Sequence, residues 1–476
     1  MIRVPMAVQS SVPQKPIIGA MRVLSVLALG SVLASLAASA GAFAAGAGDP
    51  GAAPRIVAGE PVCVSVDRPA VPHVEPFLAA HPADPDLLFG AAVLLPDAGR
   101  GRGGIEQTAV AGFRSLDGGR AWARVAFPRC LVDPWVSFGR GRDVYLSCLA
   151  RGGAVAVFRS PDGGRIWHRP VRVPTAGGGA ADHPILAVDR SEGPRGGTVY
   201  AIFAQVLPAA APGRKPRFGT AVAASRDGGR SFSAPAFLRD EGLNQQPFDA
   251  TVLADGTLVL LLMDYASFQR PLARRQAWAA RSVDGGRSFS LAALPFEPPG
   301  GLAPVPLAAD PAAAHRGRLY LAVPGLAPRE AGGGLAVLRS DDGGASWRQP
   351  ASAAAGVPGP LAAGARTPAI AVSAAGVVGL AWYDTRRDPR GECFDVDFSA
   401  SVDGGRTFLA AVRVTPEMSC PPAGQDRAVA SRWPFGGDYS GLAATADGHF
   451  RVFWSGSRAG GVSQVWAAGV EVVAAQ

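Results

Sequence analysis

The sequence reads SLDGGRAW at residues 115–122, and five later segments repeat its pattern of Ser-x-Asp-Gly-Gly-x-x-aromatic. They are SPDGGRIW (160–167), SRDGGRSF (225–232), SVDGGRSF (282–289), SDDGGASW (340–347) and SVDGGRTF (401–408). Successive copies start 45, 65, 57, 58 and 61 residues apart. Self-similarity at this spacing is typical of repeat architectures in which one small unit recurs.

Each copy has the composition of a β-hairpin turn. Asp-Gly between apolar runs is a strong hairpin signal, because Gly tolerates the positive φ of such turns. We expect the Asp side chain to accept hydrogen bonds from backbone N–H groups one and two residues further on, and the aromatic residue to begin the next strand. We therefore expect a structural role for six aspartates, Asp117, Asp162, Asp227, Asp284, Asp342 and Asp403.

Four strand-like segments accompany each turn. Around the fourth turn they are Phe248–Leu253, Leu258–Met263, Gln276–Ala280 and Phe289–Ala293. Four strands in a unit of this length are the layout of a propeller blade. The 61 Gly and 42 Pro residues, too many for a helical protein, are then the turns between short strands. The sequence predicts an all-β fold in which residues 55–476 form a single β-propeller of four-stranded antiparallel blades.

The six turns resemble the Asp-box, or BNR, repeats of the sialidase-like β-propeller family, in its secreted bacterial type. The resemblance covers about residues 50–476. It extends to EPFLAAHPADP (75–85), DHPILAVD (182–189), WYDTR (382–386) and GDYSGL (437–442). It implies a propeller whose ligand site lies at the central channel.

The number of blades follows from the two ends of the chain. Six turns account for six blades, and Gly441–Thr445, His449–Trp454 and Gln464–Val470 supply three strands after the last turn. The segment Arg55–Val66 offers the missing fourth strand. We expect seven blades in a ring closed by this N-terminal strand. Six blades, as in the catalytic sialidases that the repeats resemble, are the alternative.

The first 44 residues have the pattern of a secretory signal peptide, and Met21 is a possible true start. Arg22 precedes an apolar stretch from Val23 to about Ala38, and Ala42-Phe43-Ala44 supplies a cleavage site. A membrane anchor is the alternative. Residues 45–54 have the composition of a linker. We expect a protein that is secreted or periplasmic, with no stable membrane span after cleavage of the signal.

Export makes disulfides possible among the five cysteines. Cys130 and Cys148 flank a turn-like segment, and Cys393 and Cys420 straddle a hairpin. We predict these two pairs, which leaves Cys63 without a partner; five free thiols are the alternative.

Candidate site residues come from two places in each unit: just before the first strand, and in the loop between the second and third strands. Propeller topology brings both to the central channel. Arginine can grip a carboxylate with two hydrogen bonds, so the set suits a polar ligand such as a sugar acid. The candidates are Glu75, Trp135, Asp182, His183, Gln246, Asp264, Tyr265, Asp384, Arg386, Arg387, Asp388, Asp438, Tyr439 and Arg458. The densest group is YDTRRD (383–388), whose alternative interpretation is an Asp–Arg ion-pair network that closes the loop.

The resemblance implies specific catalytic roles, because sialidases use a Tyr nucleophile. Tyr439 would be the nucleophile, Asp384 a carboxylate partner and Arg386 part of the arginine cluster; Tyr265 and Asp264 are alternatives. The sequence departs from the family in two respects. We expect no Glu beside either Tyr, and Arg55-Ile-Val stands where an Arg-Ile-Pro motif is expected.

Three functions therefore stand side by side. The first is recognition of a glycan or another polar ligand at the channel without catalysis. The second is an exo-α-sialidase that releases terminal sialic acid, and the third is a non-catalytic protein-interaction scaffold. Whether the protein is an enzyme is left open.

The remaining features argue against several partners. The net charge is +8, but the cations are scattered arginines, whereas a nucleic-acid-binding protein concentrates them on one face. The six His residues show no metal-binding spacing, and the Gly-Gly pairs belong to hairpins and form no phosphate loop. We expect no metal, no cofactor and no nucleic acid, and a monomer.

Overall fold

The computed structural model describes residues 53–95, 105–207, 217–238, 245–264, 276–297, 305–324, 334–349, 365–420, 436–458 and 461–473. The predicted signal peptide, linker residues 45–52 and Tyr265 lie outside these ranges. Seven antiparallel sheets make up the described part of the chain. Its helical structure consists of short 3-10 turns at Ile105–Gln107, Arg151–Gly153, Ala176–Gly178 and Ala313–His315.

The described chain begins with two short strands and then builds three complete blades. The two short strands are β1 (Arg55–Ala58) and β2 (Val62–Cys63). Blade one contains β3 (His73–Ala80), β4 (Leu88–Leu94), β5 (Ala109–Ser115) and β6 (Ala123–Phe127). Blade two contains β7 (Val132–Phe138), β8 (Val144–Ala150), β9 (Ala154–Ser160) and β10 (Val171–Arg172). Blade three contains β11 (Ala181–Val188), β12 (Val199–Leu207), β13 (Arg217–Ser225) and β14 (Ala236–Phe237).

Four further blades complete the ring. Blade four contains β15 (Gln245–Val252), β16 (Leu258–Asp264), β17 (Ala277–Ser282) and β18 (Ser290–Ala293). Blade five contains β19 (Leu307–Ala309), β20 (Leu319–Val323) and β21 (Ala336–Ser340), with a bridge between Arg339 and Arg348 at the place of its outer strand. Blade six contains β22 (Ala365–Val372), β23 (Val378–Asp384), β24 (Asp395–Ser401) and β25 (Val412–Arg413). Blade seven contains β26 (Gly441–Ala444), β27 (Phe450–Gly456) and β28 (Gln464–Val473).

The N-terminal strand completes the seventh blade. Strand β1 pairs antiparallel with β28, with Arg55 opposite Val473, and β2 pairs with the same strand. The innermost strands contact one another in sequence order, and β26 of blade seven contacts β3 of blade one. The prediction of a seven-bladed ring closed by the N-terminal strand is confirmed, and the six-blade alternative is wrong.

The six Ser-x-Asp-Gly-Gly turns share one hydrogen-bond pattern. In the first of them the Ser115 hydroxyl donates to the Asp117 carboxylate (2.8 Å) and accepts from the Gly119 N–H (2.8 Å). The carboxylate accepts from the N–H groups of Arg120 and Ala121. These donors lie three and four residues after the Asp, so our expectation of one and two residues was wrong. The turn is longer than a two-residue hairpin because two glycines with positive φ follow the Asp.

At three blade boundaries the turn is also hydrogen-bonded to an arginine of the preceding blade. The Arg114 guanidinium of blade one donates to the Gly163 carbonyl of the next turn (2.7 Å), and Arg339 of blade five does the same to Gly404 (2.8 Å). Across the closure, Arg451 of blade seven donates to Gly118 of blade one. The repeat therefore stabilises contacts between blades as well as the hairpin itself.

The aromatic residue of each turn packs on the preceding blade. The rings of Trp122 and Phe453 lie 5.4 Å apart, and those of Trp167 and Phe89 lie 5.0 Å apart. The outer strand begins one to four residues after the aromatic residue, which therefore does not start the strand as predicted. Full burial of such a side chain would contribute roughly 1.5–3 kcal/mol, and the five half-buried rings contribute less than that.

Both predicted disulfides are present. Cys130 is joined to Cys148 and Cys393 to Cys420, with Cα–Cα distances of 5.8 Å and 4.3 Å. Cys63 is a half-buried free thiol on β2. Within the described ranges, no helix has the length and apolarity that a membrane span requires.

Candidate functional site

A second repeat, an Xaa-Pro pair, lies on the innermost strands of five blades and directly before the innermost strand of blade five. The pairs are Glu75-Pro76, Asp133-Pro134, His183-Pro184, Gln246-Pro247, Val305-Pro306 and Thr367-Pro368. In five of these blades the register between the first and second strands shifts at the pair or, in blade four, directly after it. Pro has no N–H group for the ladder, so a bulge at this place is its natural consequence.

Four of the residues that directly precede these prolines have a left-handed backbone. Their φ values are +54° for Glu75, +55° for Asp133, +49° for His183 and +46° for Thr367. Such a conformation costs a non-glycine residue about 1–3 kcal/mol and is concentrated at functional sites. Because the innermost strands of adjacent blades contact one another, the bulges form a ring around the central channel. We refer to this end of the channel as the channel mouth.

Aromatic rings of five blades meet at the channel mouth. Phe77 and Trp135 have centroids 4.1 Å apart, and Tyr439 lies 6.2 Å from each of them. His183 lies 6.1 Å from both Trp135 and Tyr439, and 6.0 Å from Phe248. Trp135 and Tyr439 are buried, whereas Phe77, His183 and Phe248 are half-buried. The cluster therefore has a closed base and an accessible side.

Carboxylates surround the Tyr439 phenol. Burial raises the pKa of Tyr439 well above its usual range, and the charges of Glu75, Asp133 and Asp438 raise it further. The Tyr439 side chain is 8% exposed, and its hydroxyl has no hydrogen-bond partner among the described residues. Gly437 packs directly against Glu75, where a Cβ would collide with the Glu75 side chain. A Glu therefore does lie beside Tyr439, although the two are 364 residues apart in the sequence.

His183 belongs to the same group of interacting charges. Burial lowers its pKa, while the carboxylates of Asp182 and Asp438 oppose that shift. Its Nε2 atom has no hydrogen-bond partner within the described ranges. The neutral imidazole therefore offers a free polar atom at the channel mouth.

Two other candidates lie on blade four. Gln246 is buried on β15 opposite Met263, and Gln245 faces Asp264 in the same ladder. The Gln246 Oε1 atom has no hydrogen-bond partner in the described part of the chain. The ring contact that brings blade four to the channel mouth is made by Phe248, two residues further along.

Asp384 and Arg386 are bound to each other in blade six. The Arg386 guanidinium lies 2.7 Å from the Asp384 carboxylate, which also accepts from the Trp382 indole N–H (3.1 Å). Burial raises the pKa of Asp384, but the hydrogen bonds from Arg386 and Trp382 outweigh it and the net shift is downward. The negative charge of Asp384 is therefore already balanced by Arg386 within its own blade.

Arg387 continues this arrangement toward the outside of the blade. It donates to Asp395 (3.2 Å) and to both oxygens of Asp397 (3.0 Å), and Arg413 on the outer strand donates to Asp395 (2.8 Å). We call Asp384, Arg386, Arg387, Asp395, Asp397 and Arg413 the blade-six network. These contacts have the form of the ion-pair network named above as the alternative for residues 383–388.

The last candidates close loops or lie near the edge of a blade. The half-buried Asp388 accepts hydrogen bonds from the N–H groups of Glu392 and Cys393 (both 2.8 Å). The Arg458 guanidinium stacks 3.7 Å over the Trp466 ring and lies 3.6 Å from Glu417. Arg55 lies on the outermost strand of blade seven, which places it at the periphery of the ring.

Sequence reasoning missed three members of the channel mouth. Asp133, Phe77 and Phe248 were not among the candidates, although each lies at or next to an Xaa-Pro pair. The recurrence of these pairs before apolar runs was the available signal. No cluster of three or more His, Cys, Asp or Glu side chains suited to a metal ion occurs among the described residues.

The comparisons with known proteins concern the fold. No protein-family model matches the chain, and no curated protein has a matching sequence. Among solved structures, a Dyadobacter fermentans protein of unknown function is 14% identical over 88% of this chain and 99% of its own, with a TM-score of 0.48. A leech intramolecular trans-sialidase is 11% identical over 87% and 69%, with a TM-score of 0.45. A Penicillium chrysogenum α-L-arabinanase is 11% identical over 87% and 98%, with a TM-score of 0.44.

Proposed function

We propose that this protein is an exported β-propeller that recognises a glycan or another polar ligand at the channel mouth, without a catalytic step. The observation that carries the proposal is the buried Tyr439 hydroxyl, which lacks a partner among the described residues and lies among aromatic rings and carboxylates. Buried polar groups are almost always hydrogen-bonded, so an orphaned one at an accessible cluster suggests a ligand.

The chemistry of the neighbours favours a ligand rich in hydroxyl groups. Half-buried Phe77 and Phe248 offer aromatic surface, and half-buried Asp133, Asp182 and Asp438 offer acceptors for hydroxyl donors. A few polar groups that converge on an apolar base are typical of small-molecule sites. The charges that act on Tyr439 are carboxylates, which favours a neutral or cationic ligand over a carboxylate-bearing sugar.

A glycan array followed by calorimetry tests this proposal. We expect saturable binding that Asp438→Asn weakens at least about tenfold, since a charge-assisted hydrogen bond would be lost. Asp388→Asn is the matched control, because the Asp388 carboxylate accepts only from backbone N–H groups of its own blade-six loop in the hydrogen bonds described above, and the change should leave affinity unchanged. Absence of binding to neutral and cationic glycans alike, or equal weakening by both variants, would contradict the proposal.

An exo-α-sialidase is the second candidate, and the position of Glu75 beside Tyr439 favours it. A carboxylate next to the phenol is what activation of a Tyr nucleophile requires. Purified protein would be assayed with fluorogenic α-sialosides. The binding proposal expects no turnover. Turnover abolished by both Tyr439→Phe and Glu75→Gln, in variants that remain folded, would establish the enzyme in its place.

The proposed export rests on the signal-like residues 1–44. Sequencing the N-terminus of protein recovered outside the cytoplasm should give a start at Ala45. Recovery of the intact N-terminus in the membrane fraction would instead support an anchor.

A further inference from the structure

Two adjoining cavities lie between blades three and four, at the end of the ring opposite the channel mouth. Val188, at the end of β11, pairs with Val199, and Val199 pairs with Ser225, the first residue of the third turn (225–232). This turn therefore lies at the end of β11 that is far from His183. One cavity has a volume of 280 Å³ and the other of 610 Å³, and both are lined by Arg226 and Arg287. Volumes of about 300–1,000 Å³ are typical of small-molecule sites.

The smaller cavity is rich in arginine. Arg195 joins Arg226 and Arg287 in its lining, and none of the three makes an ion pair with any described residue. The Nε atom of Arg195 is buried and lacks a hydrogen-bond partner in the described ranges. An unpaired buried guanidinium N–H is costly unless something accepts its hydrogen bond.

In blade five, the arginines around the turn are paired with an acidic residue of the turn itself. Asp341 occupies the second position of its turn, where blade three has Arg226. Asp341 accepts hydrogen bonds from Arg318 (2.8 Å), Arg339 (3.0 Å) and Arg348 (2.6 Å). With Arg226 at this position, the cavity beside blade three gains a positive charge where blade five has a negative one.

The carboxylates in the cavity walls are already engaged. Asp284 accepts from the Ser282 hydroxyl (2.8 Å), the Arg287 N–H (3.0 Å) and the Ser288 hydroxyl (2.5 Å). Asp227, in the larger cavity, is held in the same way by the hydroxyls of Ser225 and Ser231. Their hydrogen-bonding capacity is largely spent on their own turns, which leaves the guanidinium groups open to a ligand.

The larger cavity supplies apolar surface next to the arginines. Its lining includes Val222, Phe232, Ala234 and Ala236, and it shares Arg226 and Arg287 with the smaller cavity. The two together offer a cationic end and an apolar end within one continuous site.

We propose that this site binds an oxyanion with an apolar arm, such as an aryl phosphate. Arg195, Arg226 and Arg287 hold the oxyanion in the smaller cavity, and the arm lies on Phe232 and Val222 in the larger one. The site is independent of the channel mouth and of the ligand proposed there.

Isothermal titration of the full chain tests both halves of the site. The probe is phenyl phosphate, with inorganic phosphate for the cationic half alone and benzyl alcohol for the apolar half alone. Phenyl phosphate should bind saturably and at least about tenfold more tightly than either fragment, because each half contributes separately. No saturable binding at millimolar concentration, or equal affinity for phosphate and phenyl phosphate, would overturn the proposal.

Variants assign the binding to this place. Arg226→Gln and Arg195→Gln should each weaken phenyl phosphate binding at least about tenfold through loss of a charge-assisted hydrogen bond. Arg165→Gln is the matched control. Arg165 occupies the same position in the second turn (160–167) as Arg287 does in the fourth. The blade that precedes it has Leu116 where blade three has Arg226, so the second arginine is missing there. Arg226 and Arg165 are both exposed, so neither change should prevent folding. Equal weakening by the Arg165 variant would show non-specific anion binding and refute the site.

Discussion

The channel mouth and the blade-six network both contain buried polar side chains, but the two regions differ in whether the polar atoms have hydrogen-bond partners. In the network, every oxygen of Asp384, Asp395 and Asp397 lies within a hydrogen bond or ion pair of an arginine, a hydroxyl or an indole. At the channel mouth, the Tyr439 hydroxyl and the His183 Nε2 atom have no partner among the described residues.

The comparison separates a structural cluster from a candidate binding cluster. Arginines next to aspartates on one hairpin neutralise each other, so a dense run of charges in the sequence is the signature of a closed loop. Orphaned buried polar atoms arise where side chains from several blades converge on a shared space. The predictions below test this difference, beginning with the largest effect.

Loss of the Cys393–Cys420 disulfide should have the largest effect. It closes the loop that carries Asp395, and the bonded cysteines are 27 residues apart in sequence. The paired Cys393→Ser and Cys420→Ser change should lower the free energy of unfolding by about 3 kcal/mol, as expected from the loop-closure entropy. Denaturant unfolding would measure it.

The free thiol provides the control for the disulfide. Cys63→Ala should change the free energy of unfolding much less, because Cys63 is half-buried and makes no bond. Equal effects of the two changes, or free thiols at positions 393 and 420 in non-reducing mass mapping, would contradict a structural role for this bridge.

Asp395→Ala should cause the next largest loss in the free energy of unfolding. Its fully buried carboxylate accepts from Arg387, Arg413 and Thr415, so removal takes the carboxylate partner of Arg413 and one of the two carboxylate partners of Arg387, which keeps Asp397. Breaking a fully buried pair costs about 3–5 kcal/mol, but both arginines are more than a third exposed and can recover hydration. We therefore expect a loss of about 2 kcal/mol in denaturant unfolding.

An exposed pair serves as the reference for Asp395. Glu417→Gln removes the partner of Arg458, and that pair should be worth at most about 1 kcal/mol because Glu417 is half in solvent. If Asp395→Ala cost no more than Glu417→Gln, the blade-six network would not be a stabilising unit.

The repeated turns made most of the fold predictable from the sequence. The Asp-Gly-Gly pattern is local, so the hairpin and the strands around it can be inferred from neighbouring residues, and Arg55–Ala58 could be assigned to ring closure from its place outside the first full blade. The Arg114–Gly163 contact between blades was not foreseen, because nothing local indicates which turn an arginine reaches.

The channel mouth was only partly predictable, for the same physical reason. Trp135, His183 and Tyr439 were named from their places before innermost strands, and the ring contacts bring them together. Glu75 was named as a candidate ligand-binding residue, but it was not recognised as the Glu neighbour of Tyr439 that matters for sialidase chemistry, because it lies at the other end of the chain. Ring closure makes the first and last blades adjacent, and no local pattern encodes that proximity.

Two tyrosine-to-phenylalanine changes should alter stability in opposite directions. The Tyr383 hydroxyl, in blade six, accepts a hydrogen bond from the Ser455 N–H (3.1 Å), so Tyr383→Phe should lower the free energy of unfolding by about 1 kcal/mol. Tyr439→Phe removes a buried hydroxyl that lacks a partner among the described residues, and should raise it by a similar amount. Urea unfolding of both variants checks the signs. A loss of stability in both would show that the Tyr439 hydroxyl is satisfied in the folded protein.

The smallest effect concerns pH and again contrasts the two regions. Burial lowers the pKa of His183 below its ordinary 6.5, so the unfolded chain binds a proton that the folded chain resists, and stability falls as pH drops below about 6.5. The pKa of Asp384 is also lowered, but from 3.8, so its contribution persists until the pH falls below about 4. His183→Asn, which tolerates the positive φ of this position, should reduce the dependence of unfolding free energy on pH between 5 and 7 and leave the acid limb unchanged. A residual slope should remain, because burial also lowers the pKa of His73, to about 4. An unchanged slope between pH 5 and 7 would mean that the half-buried His183 imidazole protonates in the folded protein as freely as in the unfolded chain, and it would then not be a neutral, unpartnered group at the channel mouth.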